Sequence, residues 1–275
     1  MSRKIRVLGI QTTPEMGNKE SNLRKAEYFI ESNSWFNPDL IILPEVFNSG
    51  VGQGQLQALA EFIPDGVTTG LMSNLASKNN VNIVAGSYIE KCPDGKFRNT
   101  SVVFNRSGSI AGKYQKIHMF SYYGSREGEL ITPGNSCMVV ETDIGKIGLS
   151  ICYDLRFPEL YRALAYAGAE IIVCPAAWPY PRLEHWLTLN KARAIENQVY
   201  FISVNQAGKA GDNRVNLGHS MIINPWGDVV ASAGGDEGVM MAEIDLDMIK
   251  KLREEFPVLN DRNLEAYENS DLTAI

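Results

Sequence analysis

Cys152 occupies a position in the sequence that suits a catalytic nucleophile. The segment before it, Lys146–Ile151, has apolar residues at alternate positions as in a buried strand, and Pro158 stands where a helix would begin. A thiol at such a strand-to-helix turn lies near backbone N–H groups that favour negative charge on sulfur. A lone cysteine is more often a buried packing residue, so a catalytic role requires a base and a cation beside it.

Glu45 and Lys116 are the candidates for that base and that cation. Glu45 follows the apolar run Leu40–Leu43 and Pro44, which carries its carboxylate to the edge of a buried sheet, where it could exchange protons near neutral pH. Lys116 follows a predicted hairpin, and a desolvated ammonium there could stabilise a developing oxyanion. Each residue also has an ordinary interpretation, as a solvated strand-end glutamate or a solvated surface lysine.

Composition limits the partners and the cellular setting that we expect. The 275 residues carry a formal net charge of -6, which gives no support for nucleic acid or an anionic membrane as a partner. No apolar run approaches the ~18 residues of a membrane span, and Met1–Lys4 leads directly into a predicted strand instead of a signal peptide. The cysteines lack C-x-x-C spacing and the histidines lack metal-ligand spacing, so we expect no disulfide, no metal, no cofactor and a cytoplasmic location. These residues are Cys92, Cys137, Cys152, Cys174, His118, His185 and His219.

Strands and helices alternate along the chain and would position these candidates. Short apolar runs indicate the strands, while apolar residues three and four positions apart, with a capping residue such as Asn18, indicate the helices. Besides the strand before Cys152, we predict strands at Ile5–Gln11, Leu40–Leu43, Val81–Ile89, Glu170–Cys174 and Val199–Val204. We predict helices after Asn18 and Pro158 and at Thr68–Lys78, Leu183–Gln198 and Leu246–Phe256, with hairpins at Thr100–Tyr114 and Ser220–Ser232.

The two halves of the chain follow the same pattern. The run IRVLGIQ parallels KIGLSIC, DLIILPE parallels EIIVCPA, and SVVFNRSGSIA parallels SMIINPWGDVV. Two similar sheets facing each other, each covered by helices, would bury such apolar strands on both faces. We therefore predict an α/β fold, a four-layer α-β-β-α sandwich, as one domain over residues 1–275. Glu45 and Cys152 both end strands in this arrangement, at the edge where chemistry is usual in open α/β sheets.

The chain resembles the carbon–nitrogen hydrolase (nitrilase) superfamily in three motifs that occur in order. These are LPE with Glu45, KYQKIH with Lys116, and SICYDLRFPEL with Cys152, and the similarity extends through PAAWP, ARAIENQ and SMIINPWG. The resemblance implies the α-β-β-α sandwich, a Glu-Lys-Cys triad, and association of subunits through the sandwich faces.

The resemblance also implies a role for each matching residue. Cys152 would attack an amide carbonyl, Glu45 would take the thiol proton, and Lys116 with the backbone N–H of Tyr153 would hold the oxyanion. Ammonia would leave, and water activated by Glu45 would release the acid from a thioester. Glu127 matches the family's second glutamate, which orients lysine and substrate, and Glu129 competes for that assignment.

The strings CYDLRFPEL and WPYPRLEHW resemble the omega-amidase branch, which deamidates 2-oxoglutaramate and 2-oxosuccinamate. Such a substrate has an anionic far end, which Arg156 or Arg182 could bind, although Arg156 could equally form a structural salt bridge to Glu159. Aromatic residues that could shape the pocket, or simply pack, are Phe47, Trp178 and Tyr180.

Several alternatives stay open at this point. N-carbamoyl amines or deaminated glutathione would use the same triad, and a nitrile substrate is also conceivable. A Cys-His hydrolase would use His118 as base, whereas we expect His118 and His185 to support the site by hydrogen bonds. A catalytically silent scaffold of the same fold is the non-enzyme alternative.

Two segments are ambiguous from the sequence. The polar, Gly-rich loop at residues 48–57 could act as a lid over the site. Pro257 ends the last predicted helix, and the polar tail over residues 257–275 is either disordered or reaches a neighbouring subunit, as the resemblance implies. We therefore expect a homodimer or a larger homo-oligomer.

Overall fold

Two large β-sheets with flanking helices make up the part of the chain that this computed structural model describes, residues 3–50, 56–209, 214–263 and 265–266. The strands are β1 (Lys4–Gln11), β2 (Leu40–Ile42), β3 (Asn82–Val84), β4 (Tyr88–Lys91), β5 (Phe97–Phe104), β6 (Ile110–Gln115), β7 (Val139–Thr142), β8 (Gly145–Leu149), β9 (Ile171–Ala176), β10 (Tyr200–Asn205), β11 (Ala207–Lys209), β12 (Val215–Leu217), β13 (Met221–Ile223), β14 (Val229–Ser232) and β15 (Gly238–Asp245). The helices are α1 (Lys19–Ser32), α2 (Val67–Lys78), α3 (Glu127–Leu130), α4 (Pro158–Tyr166), α5 (Leu183–Asn197) and α6 (Asp247–Glu255).

The two sheets have the same internal plan. The first has the order β15-β1-β2-β3-β5-β4, with β6 also paired to β5, and the second has the order β14-β13-β10-β9-β8-β7. Strands β1, β2 and β3 are parallel and are followed by antiparallel β5 and β6, just as parallel β8, β9 and β10 are followed by antiparallel β13 and β14. The internal repeat that the sequence indicates is therefore present in the strand topology.

The strands are buried on both faces because a second layer covers each side. Val7 and Ile42 of the first sheet share an inner core with Ile147 and Leu149 of the second. The next residue along β1, Leu8, points the other way, into a core that includes residues of α1 and α2. Residues of α4 and α5 pack on the outer face of the second sheet. The four-layer α-β-β-α sandwich is confirmed.

The predicted strand Val81–Ile89 is in fact two strands. It breaks at Gly86, whose φ of +45° is a left-handed conformation, so that β3 stays in the parallel set while β4 turns to pair with β5. A Cβ at position 86 would lie 1.9 Å from the carbonyl oxygen of Pro44. The Ser87 hydroxyl accepts the backbone N–H of Val46 at 3.1 Å. An apolar run does not reveal this break, which supports the chain on both sides of Glu45.

The chain after α6 folds back onto its own domain. The Gln198 amide donates to the carbonyl of Phe256 at 2.7 Å, and the Tyr166 hydroxyl donates to the carbonyl of Leu259 at 2.7 Å. Residues 264 and 267–275 of the tail and residues 51–55 of the predicted loop lie outside the described residues. The questions of a tail that crosses to a neighbour and of a lid at 48–57 therefore stay predictions.

No described helix is both long and apolar enough to cross a lipid bilayer. Within the same residues, no group of three or more His, Cys, Asp or Glu side chains is arranged to hold a metal ion. The four cysteines are all unpaired, and Cys137 alone among them is exposed.

Candidate active site

Cys152 begins a single 3₁₀ turn, Cys152–Arg156, that separates β8 from α4. Its φ of +48° is a left-handed conformation that costs a non-glycine residue on the order of 1–3 kcal/mol. The Asp154 carboxylate supports this turn by accepting the backbone N–H of Ile151 at 2.8 Å. The sulfur is thus mounted on a strained turn at the end of a buried strand.

Asp154 joins this turn to the segment that carries Lys116. One carboxylate oxygen of the fully buried Asp154 accepts the backbone N–H of His118 at 3.1 Å and lies 2.7 Å from His118 Nδ1. The other oxygen accepts the Tyr114 hydroxyl at 2.8 Å. The His118 ring also stacks on Phe157, with ring centroids 3.7 Å apart. His118 therefore contacts the residues that hold the cysteine turn, and it does not line the cavity beside the thiol.

Glu45 follows β2 and is almost completely buried, with 4% of its surface exposed. Its Oε1 accepts the Lys116 ammonium and the Asn99 amide, each at 2.9 Å. Its Oε2 accepts the backbone N–H of Ala177 at 2.9 Å, and its main-chain carbonyl accepts the Gln206 amide at 2.7 Å. The carboxylate is therefore fixed in orientation by donors from both sheets.

Lys116 lies between two carboxylates and is only 2% exposed. Its Nζ is 2.9 Å from Glu45 Oε1 and 2.9 Å from each carboxylate oxygen of Glu127. Burial alone would lower the pKa of Lys116, but the negative charges of Glu127 and Glu45 outweigh it and raise the pKa well above its ordinary value. The side chain is therefore an ammonium near neutral pH.

The Cys152 thiol and the Glu45 carboxylate line the same cavity. Burial, and then the negative charge of Glu45, raise the pKa of Cys152 well above its ordinary value, with Lys116 acting in the opposite direction. The thiol is consequently neutral near pH 7, and the Glu45 carboxylate at the same cavity is available as a proton acceptor. The arrangement can move the thiol proton to Glu45 while the sulfur forms a bond.

Glu127 and Glu129, the two candidates for the second glutamate, have different surroundings. Glu127 begins α3, holds Lys116, and accepts the backbone N–H of Phe120 at 2.8 Å. Glu129 is exposed and forms an ion pair with Arg126 at the surface. Glu127 is thus the glutamate that the structure brings to Lys116.

The cavity beside Cys152 has a cationic and aromatic wall. Arg156 stacks over Trp178 at 4.7 Å, and its guanidinium lies 3.2 Å from His185 Nδ1. Within the described ranges Arg156 forms no ion pair, so the salt bridge to Glu159 is not made. Arg182 stacks over Tyr123 at 4.4 Å and likewise has no carboxylate partner in that part of the chain. Besides Glu45, Lys116, Glu127 and Cys152, the cavity is lined by Val46, Leu56, Ile89, Asn99, Phe120, Ser125, Leu130, Tyr153, Arg156, Ala177, Trp178, Pro179, Arg182 and Arg214.

The structure does not bring two of the aromatic candidates to the cavity. Phe47 is buried in the core between the first sheet and its helices. Tyr180 is half exposed, and its backbone N–H donates to Val215 at 2.9 Å. Trp178 and Tyr153 do line the cavity, and Tyr153 makes an edge contact with Phe120 at 5.1 Å. Proximity to a predicted strand end thus indicates where the backbone of a residue lies, but it does not indicate the direction in which the side chain points.

Three contributors to the site are absent from the sequence-based predictions. They are Asn99, the backbone N–H of Ala177, and Asp154, which makes four contacts. Asp154 and Asn99 had one available signal, since each is a polar residue within a largely buried segment. The backbone N–H of Ala177 could not be predicted from the sequence, because every residue except proline has the same donor.

A four-layer α-β-β-α fold with a thiol, a carboxylate and an ammonium at one cavity places this protein among the hydrolases built on facing sheets. Comparison with family models identifies the family: residues 4–254 match the carbon-nitrogen hydrolase model, and the chain belongs to this family.

Curated relatives are similar over nearly their whole length. The chain is 37% identical to the omega-amidase NIT2-A of Xenopus laevis, covering 90% of this chain and 92% of the relative. It is 38% identical to the 2-oxoglutaramate amidase of Bacillus subtilis, covering 91% and 95%, and 35% identical to the deaminated glutathione amidase of Dictyostelium discoideum, covering 98% and 97%. Among solved structures, Saccharomyces cerevisiae Nit3, a member of branch 10 of the nitrilase superfamily, superposes with a TM-score of 0.86 at 33% identity, covering 92% and 94%.

Proposed function

We propose that this protein is an omega-amidase that hydrolyses the terminal amide of 2-oxoglutaramate or 2-oxosuccinamate to the acid and ammonia. The observation that carries the proposal is a single cavity lined by the Cys152 thiol, by the Glu45 carboxylate that the Lys116 ammonium holds at 2.9 Å, and by arginine side chains. The relatives named omega-amidase and 2-oxoglutaramate amidase support this choice of substrate.

Acylation follows from the positions of the three side chains. As the Cys152 sulfur attacks the amide carbon, its proton passes to Glu45, and the carbonyl oxygen becomes an oxyanion. The Lys116 ammonium and the backbone N–H of Tyr153 stabilise that oxyanion without a proton being transferred to it. Collapse of the tetrahedral intermediate breaks the C–N bond, the proton on Glu45 goes to the leaving nitrogen, and ammonia departs from a thioester.

Deacylation reverses the same roles. A water molecule takes the place of ammonia and gives a proton to Glu45 while its oxygen attacks the thioester carbon. The same two donors hold the second oxyanion. When the C–S bond breaks, Glu45 returns the proton to the Cys152 sulfur, which restores the starting thiol and releases the dicarboxylic acid.

The arginine wall supplies the recognition of the far end. A 2-oxo acid carries its carboxylate beside a planar carbonyl, and a guanidinium binds such a group with two parallel hydrogen bonds. Arg156 and Arg182 both line the cavity and have no carboxylate partner within the described residues. Trp178 provides an apolar surface beside Arg156 for the methylene groups.

Ammonia release from 2-oxoglutaramate tests the proposal. We expect steady release by the wild-type protein, and a loss of at least about a thousandfold in Cys152→Ala and in Glu45→Gln, because each removes a group used in both half-reactions. Mass spectrometry of acid-quenched wild-type protein should show the acyl adduct on Cys152. Circular dichroism establishes that the variants are folded.

Deaminated glutathione is the second candidate substrate, because two separate guanidiniums could bind its two carboxylates, and a relative carries that name. The ratio of kcat/KM for the two amides decides between them, and an N-carbamoyl amine belongs in the same assay. A higher kcat/KM for another compound would reassign the substrate, and no turnover of any small amide would favour the catalytically silent scaffold.

A further inference from the structure

Asn99 is a buried polar residue that the reaction described above does not use. It lies in β5, is 3% exposed, and lines the cavity. Its main-chain carbonyl accepts the backbone N–H of Lys116 at 2.9 Å. Its side-chain Nδ2 donates to Glu45 Oε1 at 2.9 Å and to Glu127 Oε1 at 3.3 Å. Asn99 therefore contacts both carboxylates beside the thiol and the backbone of Lys116.

The hydrogen bonds of Asn99 close a ring. Lys116 Nζ also donates to Glu45 Oε1 and to Glu127 Oε1, each at 2.9 Å, so the same two carboxylate oxygens are joined by the same two nitrogens. Lys116 Nζ also lies 2.9 Å from Glu127 Oε2, the second oxygen of the same carboxylate. Both amide hydrogens of Asn99 and the ammonium of Lys116 are thus engaged by the same pair of carboxylates.

The orientation of the Asn99 amide is determined by charge. Its Oδ1 is buried and has no hydrogen-bond partner among the described residues. Turning the amide over would give that oxygen no better partner and would place it against two carboxylate oxygens. Because an unpaired buried carbonyl is unfavourable, its retention indicates that the two contacts of the amide nitrogen outweigh it.

The ring distinguishes the two oxygens of Glu45. Oε1 accepts two N–H donors, from Lys116 and Asn99, whereas Oε2 accepts one, from the backbone of Ala177. On the proposed amidase function, on which this inference rests, we propose that Asn99 is a positioning residue that occupies Oε1 and keeps Glu45 anionic, so that the thiol proton enters and leaves through Oε2.

Charge balance explains why a neutral donor is needed. Two carboxylates share one ammonium, so the buried group carries one net negative charge and would favour uptake of a proton. The titratable and charged groups that face Glu45 are Lys116, Glu127 and Cys152, and those across the cavity are Tyr153, Arg156, Arg182 and Arg214. The Asn99 amide stabilises the negative charge on both carboxylates without adding a proton that could be transferred.

The pH profile of Asn99→Leu tests this role. Leucine has nearly the same size and no donor, so Glu45 should take up a proton at higher pH than in the wild type. We expect the acid side of the kcat/KM profile for 2-oxoglutaramate to move upward by about one pH unit. Activity should then be about tenfold lower on that side and recover toward pH 9. In Asn99→Asp, which keeps the shape and adds a carboxylate, we expect a larger shift in the same direction.

Asn190→Leu is the matched control. Asn190 is equally buried and also has an unpartnered Oδ1, but it lies in α5, where its amide donates to the carbonyl of Trp186. It should leave the acid side of the profile in place. A uniform loss in Asn99→Leu with no displacement of the acid side, or no loss at all, would overturn the proposal.

A second measurement separates this inference from the proposed substrate. Alkylation of Cys152 by iodoacetamide, followed between pH 5 and 8 by peptide mass spectrometry, also depends on whether Glu45 can accept the thiol proton. If the wild type releases no ammonia from 2-oxoglutaramate, the substrate assignment fails. The alkylation profiles then decide the role of Asn99: the acid side should move to higher pH in Asn99→Leu and stay in place in Asn190→Leu.

Discussion

At the residue scale, the site combines a neutral nucleophile with a charged stabiliser. Burial and Glu45 raise the pKa of the Cys152 thiol, and Glu127 and Glu45 raise that of the Lys116 ammonium. The sulfur is therefore a thiol near pH 7, and in the proposed mechanism its proton leaves only as the bond to carbon forms. A thiolate waiting in the cavity would react with any electrophile that entered, whereas this thiol needs its carboxylate to be activated.

The raised pKa of Cys152 predicts the alkaline side of its alkylation profile. A thiol with a raised pKa stays protonated through the range in which a free cysteine ionises, at about pH 8.5, and yields thiolate only above it. The rate of Cys152 alkylation by iodoacetamide should therefore still be rising at pH 10 in the folded protein. In the protein unfolded in guanidinium chloride, the same residue should level off by about pH 10. A plateau at that pH in the folded protein would contradict the neutral thiol.

At the element scale, the turn at Gly86 connects the first sheet to the Glu45 carboxylate. Its backbone packs against Pro44, the residue before Glu45, and it permits β4 to turn away from β3. The 3₁₀ turn of Cys152 is held instead by a hydrogen bond, from the backbone N–H of Ile151 to the Asp154 carboxylate. The positions of Glu45 and Cys152 at their strand ends thus depend on contacts with neighbouring turns as well as on the strands themselves.

Substituting Gly86 should therefore affect stability and catalysis together. In Gly86→Ala the methyl group would meet the Pro44 carbonyl at a left-handed φ, so we expect the free energy of unfolding to fall by about 3 kcal/mol or more, with a lower kcat. Urea denaturation and ammonia release measure the two effects.

Gly95→Ala is the control, since Gly95 has a φ of +78° but nothing within 4 Å of the added Cβ. It should lose only about 1 kcal/mol and keep its kcat. Equal losses in the two variants would refute the steric argument.

The elements that sequence predicts well are those defined by local pattern. Asn18 caps α1 as expected, with its side chain accepting the backbone N–H of Ser21, and the main strands form where the apolar runs lie. Contacts between distant segments are less visible. The contact of Asn99 with Glu45 depends on the register of β5 beside β3 and β4. The side chain of Phe47 points into the core between the first sheet and its helices because of the turn after β2. The sequence could therefore locate the charged residues near one edge, but not the ring that joins them.

At the scale of the whole molecule, exposed apolar side chains on the second half are relevant to self-association. Ile195 of α5 and Trp226 of the β13–β14 turn are both exposed, and Ile195 lies beside Gly227 of the same turn. The resemblance to the family implies association through the sandwich faces, and the homodimer stays a prediction.

Light scattering after size exclusion measures that prediction. We expect a mass of at least twice the chain mass of 30.5 kDa, because a paired face would bury these side chains. Ile195→Glu should reduce the mass to that of one chain. Trp35→Glu, at an exposed residue beyond α1, should leave it unchanged. A wild-type mass of 30.5 kDa would refute the homodimer.

The repeated strand plan has an evolutionary consequence. The position in the first half that corresponds to Cys152 is Gln11, and the position in the second half that corresponds to Glu45 is Ala176. A duplicated ancestor of half this length would have presented two equivalent edges, whereas in this chain one half retains the base and the other the sulfur. Neither half contains both the carboxylate and the sulfur, so loss of either copy would remove one of the two groups from the site.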